Sequence, residues 1–266
     1  NKEIKFTTFV EHAKDLGADR IATGHYCRKR EQDGQHLLLK GLDEIKDQSY
    51  FLHALSAEQL ACAEFPVGEL EKPQVRELAK QVAIPVHAKR DSTGICFIGE
   101  RQLKGFLGRY LGEKPGSIKT ASGQTVGQHS GVHFFTLGQR QGLGIGGVRG
   151  AKEAPWFVIG KSLDQQELYV SQEHDHPALL ATELIAHEVN WINHAPKVGT
   201  QIMAKNRYRQ ADQVCVITAI DQQAGHCKVS FEAPQWAVTP GQSVVFYDGP
   251  VCLGGGVIEW TNASPI

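Results

Sequence analysis

Arg20-Ile21-Ala22-Thr23-Gly24-His25 reads as a short strand that runs out into a loop. Before it, residues 2–16 have the period of an amphipathic helix, with Phe9, Val10, Ala13 and Leu16 on one face and Gly17 as the stop. After it, a second helix is predicted from Pro73 to Val82, with proline in the first turn and Val75, Leu78, Ala79 and Val82 facing inward. Ile84-Pro85-Val86 then reads as a short extended segment. Helices alternating with short strands predict an α/β layer with a parallel sheet. In such sheets ligands bind beyond the carboxyl ends of the strands. Gly24 would let a ligand reach the backbone there. His25 could stack on a ligand or hydrogen-bond to it, or be an ordinary solvent-facing loop histidine.

The character changes after about residue 104. Residues 105–150 are rich in Gly, Gln and His, with turn signals at Lys114-Pro115-Gly116 and Ala121-Ser122-Gly123. From about residue 177 short β runs dominate: Val214-Cys215-Val216-Ile217, Lys228-Val229-Ser230-Phe231, Ser243-Val244-Val245-Phe246-Tyr247 and Gly256-Val257-Ile258. Turn-formers such as Thr239-Pro240-Gly241 separate them, which predicts a small antiparallel barrel. The expected organisation is therefore three-part: 1–104, 105–176 and 177–266.

A chain of 266 residues, 41 % hydrophobic and 21 % charged, is long enough for about two or three packed domains. It has no apolar run long enough for a membrane span. The net charge of −1 gives no global attraction to nucleic acid, so any RNA contact must come from local patches. The cysteines at 27, 62, 96, 215, 227 and 252 include no Cys-x-x-Cys pair, so no metal site is expected, and the cytoplasm is the expected compartment. The opening Asn1-Lys2-Glu3-Ile4-Lys5-Phe6 has no Met and no signal core, and reads as the interior of a longer sequence.

Four stretches bear on chemistry. Gly142-Leu143-Gly144-Ile145-Gly146-Gly147 fits a dinucleotide fingerprint in letters only, because no helical period follows to face a pyrophosphate. A flexible glycine loop, or an RNA-backbone contact helped by Arg140 and Arg149, is the alternative. Cys96 lies in the polar stretch Arg90-Asp91-Ser92-Thr93-Gly94-Ile95-Cys96-Phe97, near two cations that would favour a thiolate; a half-buried inert thiol is the other reading. Lys46-Asp47-Gln48-Ser49-Tyr50-Phe51 mixes a cation, an amide and two aromatics, which suits a splayed-out nucleotide or a turn entering a buried strand. Lys205-Asn206-Arg207-Tyr208-Arg209-Gln210 interleaves cations with a tyrosine, as RNA-binding surfaces do, and as a solvated strand face also can.

Taken in order, Asn1 to Phe6, Ala22 to Tyr26, Lys46 to Phe51, Phe65-Pro66-Val67-Gly68, Asp91 to Gly99, His133 to Gly147 and Thr239-Pro240-Gly241-Gln242 resemble the bacterial tRNA-specific 2-thiouridylase family over essentially the whole chain. The resemblance implies the back half of an α/β adenylating domain (PP-loop, Rossmann-like), a small central domain and a C-terminal antiparallel β-barrel. It implies ATP with Mg2+ as cofactor and tRNA as substrate. A persulfide sulfur donor would be delivered by a sulfur-relay protein or cysteine desulfurase. It assigns Cys96 as the catalytic sulfur carrier and Gly24 to ATP. It assigns His25, Lys46, Asp47, Gln48, Arg207, Tyr208 and Gln242 to tRNA. ATP would adenylate the C2 oxygen of the wobble uridine, and sulfur from a Cys96 persulfide would replace it. The family's Ser-Gly-Gly-Val-Asp-Ser phosphate loop, an aspartate and a first catalytic cysteine precede the segment that starts here at Asn1. That cysteine would release the sulfur by forming a disulfide with Cys96, or would help liberate it as sulfide, and these residues alone would be inactive. A PP-loop amidating ligase and a non-catalytic RNA-binding module are the competing readings.

Overall fold

The first helical stretch opens with a wide π turn, Ile4–Thr8, and continues as helix α1, Phe9–Asp15. The π turn shifts the helix phase. Phe6 and Val10 are therefore the buried residues, while Phe9 and Leu16, predicted to face inward, are exposed. The chain then forms strand β1 (Ile21–Ala22), the hairpin β2 (Cys27–Gln32) and β3 (Gln35–Lys40), helix α2 (Ala57–Ala61), strand β4 (Ala63–Glu64) and helix α3 (Lys72–Gln81). The computed structural model describes residues 1–89, 105, 108, 110–148, 150, 152–264 and 266.

β1 pairs in parallel with β4, Ile21 opposite Ala63. The parallel partner is thus not Ile84-Pro85-Val86, which forms turns after α3. α3 starts as expected, with proline in its first turn and a reciprocal cap between Glu71 and Gln74. None of its residues is buried, and Leu78 and Val82 are exposed. That helix is held by its cap and its own backbone bonds rather than by the predicted inward face.

Two compact units organise the chain. The first comprises residues 1–88, 183–233 and 240–261, the second 89–182, 234–239 and 262–266. The first unit contains a closed six-stranded antiparallel barrel built from β9 (Leu180–Trp191), β10 (Gln201–Lys205), β11 (Gln213–Asp221), β12 (His226–Trp236), β13 (Ser243–Asp248) and β14 (Val251–Thr261). The order β13-β10-β11-β12-β9-β14 closes through the β13–β14 ladder. β14 serves two partners on one edge: residues 254–261 pair with β9, and Val251 and Cys252 pair with Leu39 and Leu38 of β3. The β2–β3 hairpin therefore extends the barrel sheet. A single hydrophobic cluster joins Phe6, Ile21, Cys27, Leu38, Leu52 and Leu60 to Val245, Tyr247 and Cys252. The N-terminal stretch and the barrel share one core.

Close backbone packing fixes this junction. A Cβ on Gly68 would sit 1.7 Å from the Cys27 carbonyl oxygen, and one on Gly254, at φ 137°, 2.0 Å from the Asn190 carbonyl oxygen. Asn190 donates its amide to the carbonyls of His53 and Leu55, both at 2.9 Å, tying β9 to the turn before α2.

The second unit holds a sheet of order β6-β5-β8-β7, from β5 (Gly116–Thr120), β6 (Thr125–His129), β7 (Phe157–Ser162) and β8 (Glu167–Ser171). β5 and β8 are parallel and the other pairs antiparallel. The glycine stretch after Gln141 is not a free loop: Leu143 is buried with Ile118, Val158 and Leu168, and Ile145 packs against them. Among the described residues that follow it, 148, 150 and 152–156, none is helical, which removes the dinucleotide reading. Among the described residues no helix is long and apolar enough to cross a membrane.

Candidate RNA-contact site

Three segments distant in sequence meet in the first unit. The segment Lys46 to Phe51 enters a 3-10 turn, Ser49–Leu52. Asp47, 5 % exposed, fixes that turn: its carboxylate accepts from the backbone N–H of Gly41 and Ser49, both at 3.1 Å, and from the Ser49 hydroxyl at 2.9 Å. Gln48 accepts from the Tyr26 N–H through Oε1 at 3.0 Å, which sets the segment beside the loop after β1.

Tyr50 is the hub. Its hydroxyl donates to the Ser243 carbonyl at 2.8 Å, next to Gln242. Its ring lies 6.2 Å from that of Tyr208, and the Phe51 ring lies 4.4 Å from Tyr208. Burial pushes the Tyr50 hydroxyl up to about 12, and the opposing influence is the charge of Arg207. Burial also lowers the Arg207 guanidinium from its usual value, with Tyr50 acting against it. Arg209 stands over Tyr208 at 5.5 Å. Aromatic faces with arginines alongside are what unstacked bases and their phosphates require.

The predicted site residues thus separate by environment. Arg207 and Tyr208 are half-buried in the loop after β10, not on a strand face, and Gln242 is exposed before β13. Lys46 is half-buried; Asp47 and Gln48 are turned to internal partners. His25 is 8 % exposed, with its ring between Phe6 (5.9 Å) and Phe65 (6.5 Å) and its Nδ1 at 2.9 Å from the Thr23 hydroxyl. Burial, helped by the Lys5 charge, lowers it to about 4, so it is neutral near pH 7. It is a neutral hydrogen-bonding ring and not a solvent-facing cation. Gly24 is exposed at the end of β1, and a side chain there would meet nothing within 4 Å. Cys96 lies outside the described residues. Tyr50 and Phe51 were marked in the sequence as the aromatics of a stretch suited to a splayed-out nucleotide; their pairing with a tyrosine in the barrel appears only in three dimensions.

The remaining thiols are poor candidates for chemistry. Cys27, Cys215, Cys227 and Cys252 are buried, and Cys62 is half-buried. Cys27 opens strand β2, and burial raises its thiol far above the usual range. Burial pushes Cys215, Cys227 and Cys252 each up to about 12.

Residues 1–100 match the family model described as a tRNA methyl transferase HUP domain, 104–172 a tRNA methyl transferase PRC-barrel domain, and 181–258 an aminomethyltransferase beta-barrel domain. Among relatives, the tRNA-specific 2-thiouridylase MnmA of Klebsiella pneumoniae is 55 % identical over 97 % of this chain and 70 % of its own length. That of Escherichia coli O1:K1 is 53 % identical over 100 % and 72 %, and that of Pseudomonas savastanoi 54 % over 98 % and 70 %. The chain belongs to the tRNA-specific 2-thiouridylase family.

Proposed function

We propose that this chain acts in placing sulfur on C2 of the wobble uridine of tRNA, as a tRNA-uridine 2-sulfurtransferase of the cytoplasm. The observation that supports this best is the meeting of Lys46 to Phe51, Arg207-Tyr208 and the Gln242-Ser243 segment around Tyr50. An amidating ligase acting on a small molecule has no use for a barrel loop of arginines set against aromatic rings.

In this reading the aromatic cluster and Arg207 hold the anticodon region, Lys46 and Gln242 add polar contacts, and the neutral His25 meets the nucleotide near Gly24. The target base leaves the stack to reach Cys96. Cys96, as thiolate, attacks the outer sulfur of a donor persulfide. The donor S–S bond breaks, a new S–S bond forms on Cys96, and the donor leaves as a thiol. The donor is a sulfur-relay protein or a cysteine desulfurase. A second thiol, which the family pattern places ahead of Asn1, closes on Cys96 as a disulfide and releases hydrosulfide for attack at C2.

ATP, with the Mg2+ that accompanies it, supplies the activation of the C2 oxygen as a leaving group. The fit of the residues present is limited to the open backbone at Gly24, where a nucleoside edge can approach. No Ser-Gly-Gly-Val-Asp-Ser loop stands in these 266 residues, so by themselves they should form no 2-thiouridine.

The test is a titration with a transcribed tRNA carrying uridine at the wobble position. Saturable binding that weakens steeply with salt is expected. Absence of binding at low salt would overturn the RNA reading of the site.

A further inference from the structure

The loop that carries Arg207 and Tyr208 joins β10 to β11 through residues 206–212. It is ordered from within: the Asn206 N–H donates to Gln210 Oε1 at 2.7 Å, and the Gln210 N–H to the Arg207 carbonyl at 3.2 Å. Its tip is held by the Tyr208 ring against Phe51 and Tyr50. Its base is held by Asp212, whose carboxylate lies 3.6 Å from Lys205 at the end of β10 and is hydrogen-bonded by Lys40 at the end of β3. Lys40 and Asp212 are 172 positions apart in sequence.

This ion cluster is built in rather than loosely solvated. The side chains of Lys40, Lys205 and Asp212 are 20 %, 14 % and 24 % exposed. Both ammonium groups lie over the Tyr247 ring, at 4.4 and 5.5 Å. The Tyr247 hydroxyl is 3.2 Å from that of Ser49. Because Ser49 donates to Asp47, Tyr247 donates to Ser49. One chain of contacts therefore runs from Asp47, in the turn beneath Tyr50, through Ser49 and Tyr247 to the two lysines and Asp212. A carboxylate beside an RNA-facing loop repels phosphate. Its place here is explained by geometry, not by attraction for the substrate.

We propose that Asp212, held by Lys40, is a positioning residue that presents Arg207 and Tyr208 to tRNA. The proposal rests on the RNA reading of the site. Its effect passes through Arg207 and Tyr208, and Asp212 itself touches no substrate.

The experiment is a tRNA titration of the wild-type chain, Asp212→Asn, Arg207→Ala, the double variant of these two, and the reversed pair Lys40→Asp with Asp212→Lys, with thermal unfolding run on the same samples. Asp212→Asn should weaken binding about tenfold although it removes a negative charge, and should add little in the Arg207→Ala background. The reversed pair should recover most of the affinity and thereby exclude simple loss of fold. Unchanged or tighter binding by Asp212→Asn, or full additivity with Arg207→Ala, would overturn the proposal. If Arg207→Ala itself leaves affinity unchanged, the RNA reading of the loop fails and takes this proposal with it. If only Arg207→Ala weakens binding, the positioning role alone fails.

Discussion

Tyr26 and Gln48 exchange two hydrogen bonds: the Tyr26 N–H donates to Gln48 Oε1 at 3.0 Å, and the Gln48 N–H donates to the Tyr26 carbonyl at 2.8 Å. This exchange sets the loop after β1 beside the turn that carries Tyr50. Gln48→Ala would leave the buried Tyr26 N–H without its acceptor and should cost about 1–2 kcal/mol of stability, measured by denaturant unfolding. Gln48→Glu keeps an acceptor oxygen in place and should retain that stability, while its added charge weakens tRNA binding. Equal destabilisation by both variants would contradict the assignment of Oε1 as the structural atom.

Acid should loosen the same region. Burial lowers His25 and His53 to about 4, from an ordinary value of 6.5. Between those values the unfolded chain binds protons that the folded chain does not, so stability rises with pH across that window. It is fully present above about pH 6.5 and is lost as pH falls toward 4. Each of the two histidines should remove about 2 kcal/mol between pH 7 and pH 5. Unfolding midpoints measured at several pH values should show this slope, and His25→Phe should flatten it.

Arg207 is expected to touch phosphate. Arg207→Ala should weaken tRNA binding by about 1–3 kcal/mol and reduce the slope of log affinity against log salt by about 1. An unchanged slope would mean that Arg207 makes no phosphate contact, and that its place beside Tyr50 serves the fold.

The barrel was readable because its strands are short β runs at regular spacing. The sequence showed them as short β runs set apart by turn-formers such as Thr239-Pro240-Gly241, and the burial of His226 to Phe231 alternates with a period of two. The β2–β3 hairpin was missed because Arg28 to Gln32 carries no apolar residue to mark a strand. The signal was present in Asp33-Gly34, which take φ of 52° and 74°, as a type I′ turn requires. The face of the first helix was misread because a π turn is invisible to a 3.6-residue period, and it brings Phe6 inward in place of Phe9. At the site, residue types marked Arg207 and Tyr208, but the hub could not be seen: Tyr50 reaches Ser243 across 193 positions. Likewise, nothing local to Asp212 announces Lys40.

Thiol reactivity should separate the cysteines. Cys27, Cys215, Cys227 and Cys252 are buried with raised thiols and should resist a slow alkylating agent in the native protein, while the half-buried Cys62 reacts slowly. Cys96 should be labelled first, as read by peptide mass spectrometry over time. Labelling of Cys27 ahead of Cys96 would contradict both its burial and the assignment of Cys96 as the reactive thiol.

Cys96 is proposed to carry the sulfur. The most direct test needs neither ATP nor turnover: the protein is incubated with a persulfide-loaded donor protein, trapped with an alkylating agent, and digested for mass spectrometry. One extra sulfur is expected on the Cys96 peptide, none on the peptides of the other five cysteines, and loss of the modification in Cys96→Ser with tRNA affinity kept. An unmodified Cys96 beside a sulfur-loaded Cys62 or Cys27 would contradict it.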